Sequence, residues 1–135
     1  MSATLTHDSP AVSRTGTALN VALWVLQVAA AAMLGMAGFA KLSGAPEMIA
    51  LFDAVGVGQW FRYVTGTLEV LGAALLLVPA LAGVGALVLA PVMLGAVLTH
   101  LFVIGGSPVI PLVLLAVVGF VAFARRDSTL RLLGR

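Results

Sequence analysis

The sequence contains no cysteine. That removes disulfides, thiol redox chemistry, thiolate metal sites and cysteine-ligated iron–sulfur clusters from this chain. Charge is nearly as scarce. Seven basic and five acidic residues make up 9% of 135 positions, against 61% hydrophobic, whereas a soluble domain averages about 25% charged and about 45–50% apolar. Twelve formal charges cannot cover the surface of a soluble fold of this size, so an ordinary soluble enzyme and a disordered tail are both excluded. The net charge is only +2, and the basic residues are scattered or gathered at the C-terminus. The dense basic patch of a nucleic-acid binder is missing, and no nucleic-acid partner is expected. Histidine occurs twice, and His7 falls in the polar N-terminal stretch. A bis-histidine haem within the membrane is therefore excluded, and no metal site of the usual three or four ligands is expected.

What the chain does have is long apolar runs, with a mean hydropathy of +1.17. A membrane-crossing helix needs roughly 20 mainly apolar residues. Four runs qualify: residues 18–40, 64–82, 84–104 and 109–124, the last a little short and with Pro108 and Pro111 near its start. Helix breakers separate them at Ser43-Gly44-Ala45-Pro46, at Pro79 with Gly83, and at Gly105-Gly106-Ser107-Pro108. The runs are continuously apolar, unlike the in–out alternation of a barrel strand. The expected fold is all-α, an integral membrane four-helix bundle over residues 18–124. A polar N-terminal tail (1–17) and a basic C-terminal tail (125–135) flank it. Arg14 followed by an apolar run has a signal-peptide flavour, but the run exceeds the usual 7–15-residue core and continues to Phe39. A first span is expected instead.

Basic residues set orientation. With four spans both termini share one side, which carries Arg14, Arg125, Arg126, Arg131 and Arg135, while Lys41 and Arg62 lie on the other. Both termini are expected in the cytoplasm, and the segment from Lys41 to Tyr63 outside it. Within that segment Pro46 and Glu47 suit a first helical turn. Met48, Leu51, Phe52 and Val55 follow at helical spacing, and Gly56 can end the stretch. A short amphipathic helix is expected between spans one and two. Trp60, Phe61 and Tyr63 flank Arg62; they suit an interfacial anchor first and a pocket rim second.

The informative residues are those that are costly in lipid. An ionisable side chain at the bilayer centre costs at least about 2.5–3.5 kcal/mol. Lys41 ends span one, Glu69 falls about 7–8 Å below the outer end of span two, and His100 about 6 Å below that of span three, at 1.5 Å per residue. The three share one depth on consecutive, neighbouring spans. Gly35 and Gly38 share the stripe of Lys41, which Gln27 continues inward; Gly66, Gly72 and Ala73 flank Glu69; Ala96 and Thr99 flank His100. Small residues let membrane helices approach closely. The functional expectation is a polar pocket of Lys41, Gln27, Thr99, Arg62 and Trp60 around Glu69 and His100 as candidate acid and base. The bland alternative is that Lys41 reaches the headgroups while Glu69 and His100 form one register-fixing pair.

Particular stretches carry a family likeness. Gly38-Phe39-Ala40-Lys41-Leu42 closes span one, and Phe52 and Gly56 fall in the loop. Gly66-Thr67-Leu68-Glu69-Val70-Leu71-Gly72-Ala73 opens span two, and Pro91-Val92-Met93-Leu94-Gly95-Ala96 leads to Thr99-His100. From about Met36 to Ala124 the chain resembles the DoxX-like family of small four-helix bacterial membrane proteins. The resemblance implies a multi-pass protein of the bacterial cytoplasmic (inner) membrane, with Lys41, Glu69 and His100 at the family's polar positions. The family takes its name from a subunit associated with quinol oxidation and thiosulfate:quinone oxidoreduction, and another relative partners soluble redox enzymes in an oxidative-stress complex. It thus implies a subunit or binding protein for an apolar, quinone-like small molecule, linked to an oxidoreductase partner. No flavin or haem signature is present, so no cofactor of the chain's own is expected. Two rivals stand beside this reading. One is an intramembrane enzyme using Glu69 and His100 on a lipophilic substrate, in an isomerisation, cyclisation or epoxide-type hydrolysis. The other is a purely structural assembly partner.

Overall fold

The computed structural model describes residues 10–134, with side chains from Gly16 onward. His7, Arg135 and the side chain of Arg14, invoked above for haem ligation and orientation, lie outside the described residues. The described chain is helical, with turns between the helices and no strand.

The first helix, α1, runs Pro10–Ser43 and is 34 residues long, about 51 Å at 1.5 Å per residue. It begins well before the expected span, so the helix takes in residues from Pro10 on. Gly44, at φ 75°, breaks it. The short helix between spans is present as α2, Pro46–Val55. Pro46 presets its first turn, Glu47 sits at the positive end of its dipole, and Gly56 closes it in the left-handed conformation (φ 83°) with its N–H on the Phe52 carbonyl.

The third helix, α3, spans Gln59–Leu76 and α4 spans Ala82–Thr99. Here the expected boundaries shift. Residues 64–82 were read as one span from their apolarity, but the helix starts at Gln59 and stops at Leu76. Pro79 cannot donate a helical hydrogen bond and crowds the carbonyl four residues back, so the apolar segment 77–81 becomes a turn. Trp60, Phe61, Arg62 and Tyr63 consequently belong to the first turns of α3, not to a loop. Glu69 is ten residues into α3, roughly 15 Å from its start. Span three was expected as one helix over 84–104. Instead α4 ends at Thr99, and His100–Ile104 forms a wider π turn before Gly105 and Gly106. The last long helix, α5, covers Val109–Ala124 as expected. Within the basic tail, Arg126–Leu132 forms a further helix, α6, turned 62° from α5.

α1 packs most extensively on α3, α3 on α4 and α4 on α5, while α5 closes against α1. The core between them is aliphatic: Leu23, Ala30 and Leu34 from α1, Leu76 from α3, Leu89 and Met93 from α4, and Val118 and Val121 from α5. Glycines set two of the contacts. A Cβ on Gly38 would lie 2.8 Å from the Gly66 carbonyl oxygen, and one on Gly85 would lie 2.8 Å from that of Gly72. The small-residue faces read from the sequence are therefore where backbones touch. Outward the molecule stays apolar: Phe102 is 79% exposed, and Met36, Phe39 and Phe123 are similarly open. Such a surface is stable only in lipid. Among the described residues, two helices, Gly16–Ser43 and Ala82–Ile104, are by themselves long and apolar enough to cross a membrane, and the bent pair α5–α6 makes a third candidate. α3, the second of the four expected spans, does not qualify on composition because it carries Gln59, Arg62 and Glu69. The protein is an all-α integral membrane bundle.

Candidate functional site

The end of the bundle covered by α2 contains a cavity of about 530 Å³. Every long helix contributes to its wall. Leu34, Ala37 and Lys41 come from α1, Met48 and Phe52 from α2, Leu68 and Glu69 from α3, Met93, Ala96 and Thr99 from α4, and Leu114 from α5. His100 enters from the first position of the π turn. The wall is mainly aliphatic and aromatic, with a few polar groups, the usual make-up of a small-molecule pocket. α2 is held over it by Gln59, whose Nε2 donates to Asp53 Oδ1 at 2.8 Å and to the Ile49 carbonyl at 3.0 Å. Phe52 and Phe61 meet edge-on at 5.9 Å and line the space beneath.

The polar centre is an ion pair. Lys41 Nζ lies 2.9 Å from Glu69 Oε1 and 3.2 Å from Oε2, with side chains 13% and 2% exposed. The Gly38–Gly66 contact brings α1 close enough to α3 for this bidentate pairing. A buried charge is tolerable only when it is paired and hydrogen-bonded, and Lys41 performs that service for Glu69. His100 lines the same cavity but bonds elsewhere, its Nδ1 lying 2.8 Å from the Ala96 carbonyl. Among the described residues no hydrogen bond joins His100 to Glu69 or Lys41. The carboxylate–imidazole pair weighed from the sequence is therefore not formed, and Lys41 takes the place of His100 beside Glu69. Lys41 is no headgroup anchor either, because its ammonium is turned into the bundle.

The remaining expected site residues divide. Thr99 lines the cavity, its hydroxyl donating to the Gly95 carbonyl at 2.8 Å. Arg62 does not line it. Arg62 is buried, donates to Gln59 Oε1 at 2.7 Å and to the Lys41 carbonyl, and stacks over Tyr63 at 4.4 Å. It thereby ties the C-terminal carbonyls of α1 to the start of α3 and positions the Lys41 backbone. Trp60 is 60% exposed, and its indole N–H caps the Val57 carbonyl at 3.1 Å, so it belongs to the outer surface and not to the pocket. Gln27 is fully buried but at the opposite end of the bundle. Its Nε2 donates to the Leu76 carbonyl at 2.8 Å, and its Oε1 accepts from Arg125 Nε at 2.9 Å. Sharing a helical stripe with Lys41 did not place it in the pocket, because fourteen residues of helix separate the two by roughly 21 Å.

Two polar cavity residues escaped the sequence reading: Thr65 lies one turn before Glu69, a spacing that could have flagged it, and Ser107 gave no signal beyond that of a turn. Among the described residues no cluster of three or more His, Asp or Glu side chains could hold a metal ion.

No curated protein and no solved structure matches the chain. A family model does match, that of the DoxX-like family, over residues 25–124. This stretch contains α2, α3, α4 and α5 and every residue lining the cavity. The chain belongs to the DoxX-like family.

Proposed function

We propose that the protein binds an apolar small molecule with an oxygen-bearing, quinone-like head, and presents it to an oxidoreductase partner in the bacterial cytoplasmic membrane. The observation that carries this is the cavity itself: about 530 Å³ of mainly apolar wall with the Lys41–Glu69 pair and His100 among its few polar groups. That volume falls within the usual range for small-molecule pockets, roughly 300–1,000 Å³. The long aliphatic wall suits a lipophilic body, and the polar groups suit its head. The link to an oxidoreductase rests on family likeness and on no single residue.

In this reading α3 is a fourth span. Its polar residues are acceptable in the membrane because Arg62 and Glu69 face protein partners rather than lipid. Arg125, Arg126 and Arg131 then gather at the end bearing both termini, which the positive-inside rule makes cytoplasmic, and the cavity opens toward the outer leaflet.

The test is binding of decyl-quinone to the full chain in phosphatidylcholine nanodiscs, measured by calorimetry against empty discs. Saturable binding is expected, and its loss is expected in the Lys41→Met/Glu69→Leu double variant. Uptake no greater than that of empty discs defeats the proposal. Co-purification from bacterial membranes tests the partner, and a protein isolated alone after mild solubilisation and cross-linking counts against it.

A further inference from the structure

Resting on the reading that the cavity holds the polar head of a lipophilic molecule, we infer that the site favours a head bearing a hydroxyl group, as in a lipophilic alcohol or phenol, over the same body with carbonyl or ether oxygens alone, which still binds but more weakly. The inference comes from following each polar proton at the cavity wall to its acceptor.

Thr65 Oγ1 donates to the Phe61 carbonyl at 2.8 Å, and Thr99 Oγ1 donates to the Gly95 carbonyl at 2.8 Å. Each hydroxyl owns one proton, so both threonines have only lone pairs left to offer. His100 Nδ1 lies 2.8 Å from the Ala96 carbonyl. A carbonyl cannot donate, so Nδ1 carries a proton in this contact, and in the Nδ1–H tautomer Nε2 accepts. The Glu69 carboxylate only accepts. Against this row of acceptors stand two donors. Lys41 Nζ keeps one N–H after its two contacts with Glu69 at 2.9 and 3.2 Å. The Ser107 hydroxyl, which accepts from Val109 N at 3.3 Å, keeps its proton.

The wall is therefore rich in acceptors and poor in donors. A hydroxyl satisfies both kinds of partner, donating to Thr99 Oγ1 or His100 Nε2 and accepting from Lys41. A ketone, a quinone carbonyl or an ether oxygen only accepts, and leaves the threonines and His100 without a proton to receive. With this wall a hydroxyl makes one hydrogen bond more than a carbonyl or an ether can, and that difference becomes selectivity.

The experiment compares 4-dodecylphenol with its methyl ether, 4-dodecylanisole, on the full chain in phosphatidylcholine nanodiscs, with empty discs as reference. The two share the apolar body and differ in the one proton. The phenol is expected to bind about tenfold tighter, roughly the effect of one hydrogen bond. Thr99→Val and His100→Phe should each shrink that ratio, and Thr99→Ser should restore it. The ratio separates recognition from folding, because a merely structural role would weaken both probes together. Equal binding of phenol and ether overturns the inference while leaving the cavity reading intact. A ratio unchanged in both Thr99→Val and His100→Phe also overturns it. Uptake of neither probe above empty discs overturns both the inference and the reading beneath it.

Discussion

The bundle buries polar side chains at both ends, and the two ends use them differently. Beneath α2, the Lys41–Glu69 pair adjoins open volume, and one N–H of Lys41 is uncommitted. At the other end Gln27 spends its amide on the Leu76 carbonyl and on Arg125, and Arg125 reaches on to Asn20 Oδ1 at 2.9 Å. Arg125 also lies over the Trp24 ring at 5.8 Å, and its Nη2 is buried without a hydrogen-bond partner. Four helices meet there, since Arg125 follows α5 and its carbonyl takes the Thr129 hydroxyl of α6. Nothing in that cluster adjoins the cavity. A buried polar residue in a membrane bundle is thus ambiguous by itself. Hydrogen-bonding capacity beside the cavity marks a site, and capacity spent mostly on neighbouring helices, away from the cavity, marks a staple.

That contrast can be broken most forcefully at the ion pair. Lys41→Ala strands Glu69 in a buried setting, and should cost about 3–5 kcal/mol of stability, read by thermal or SDS unfolding in detergent. Replacing both partners, Lys41→Met with Glu69→Leu, should recover most of that stability, because apolar residues can substitute for a buried pair. It should not recover ligand binding. Recovery of both would make the pair a staple like its counterpart.

Gln27→Leu should cost about 1–3 kcal/mol by leaving the Leu76 carbonyl and Arg125 Nε without their partner. Probe binding per folded molecule should stay at the wild-type value, and a binding loss as large as that of the ion-pair variant would erase the distinction between the ends. Gly38→Ala acts at the hinge of the comparison. Its Cβ would meet the Gly66 carbonyl oxygen and Val70 Cγ2, each at 2.8 Å, and crowding of this kind costs about 1–3 kcal/mol. Separating α1 from α3 there should also weaken binding, whereas the Arg125 end should keep its protection from hydrogen exchange. The smallest effect is expected for Trp60→Ala, within about 0.5 kcal/mol and without change in binding, since its exposed ring touches neither cluster. A marked binding defect in that variant would put Trp60 back at the pocket rim.

Apolar run lengths and glycine–proline breaks were enough to read the helical membrane class, the short helix at Pro46–Val55 and the last long helix. Those features are local, because hydropathy, dipole capping and turn chemistry act over a few residues. The same local logic singled out Lys41, Glu69, Thr99 and His100, since ionisable groups are expensive in lipid wherever they fall. Hydropathy failed at the edges of α3. It could not tell an apolar turn around Pro79 from helix, nor see that Arg62 and Trp60 start a helix rather than sit in a loop. Partner choice was beyond it as well. Depth placed Glu69, Lys41 and His100 together, but helix rotation and the Gly38–Gly66 contact decided that the carboxylate meets the ammonium while the imidazole turns to the Ala96 carbonyl. Gln27 shows the limit most plainly: helical periodicity gives the face a residue lies on, whereas the neighbour it meets there depends on which helix crosses at that height. The sequence by itself determined the solvent this protein lives in and the few ionisable residues set within its helices. Only the packing of the helices decided which of those residues saturate one another and which are left open beside a cavity, because hydrogen bonds between helices depend on rotations and separations that no single helix encodes.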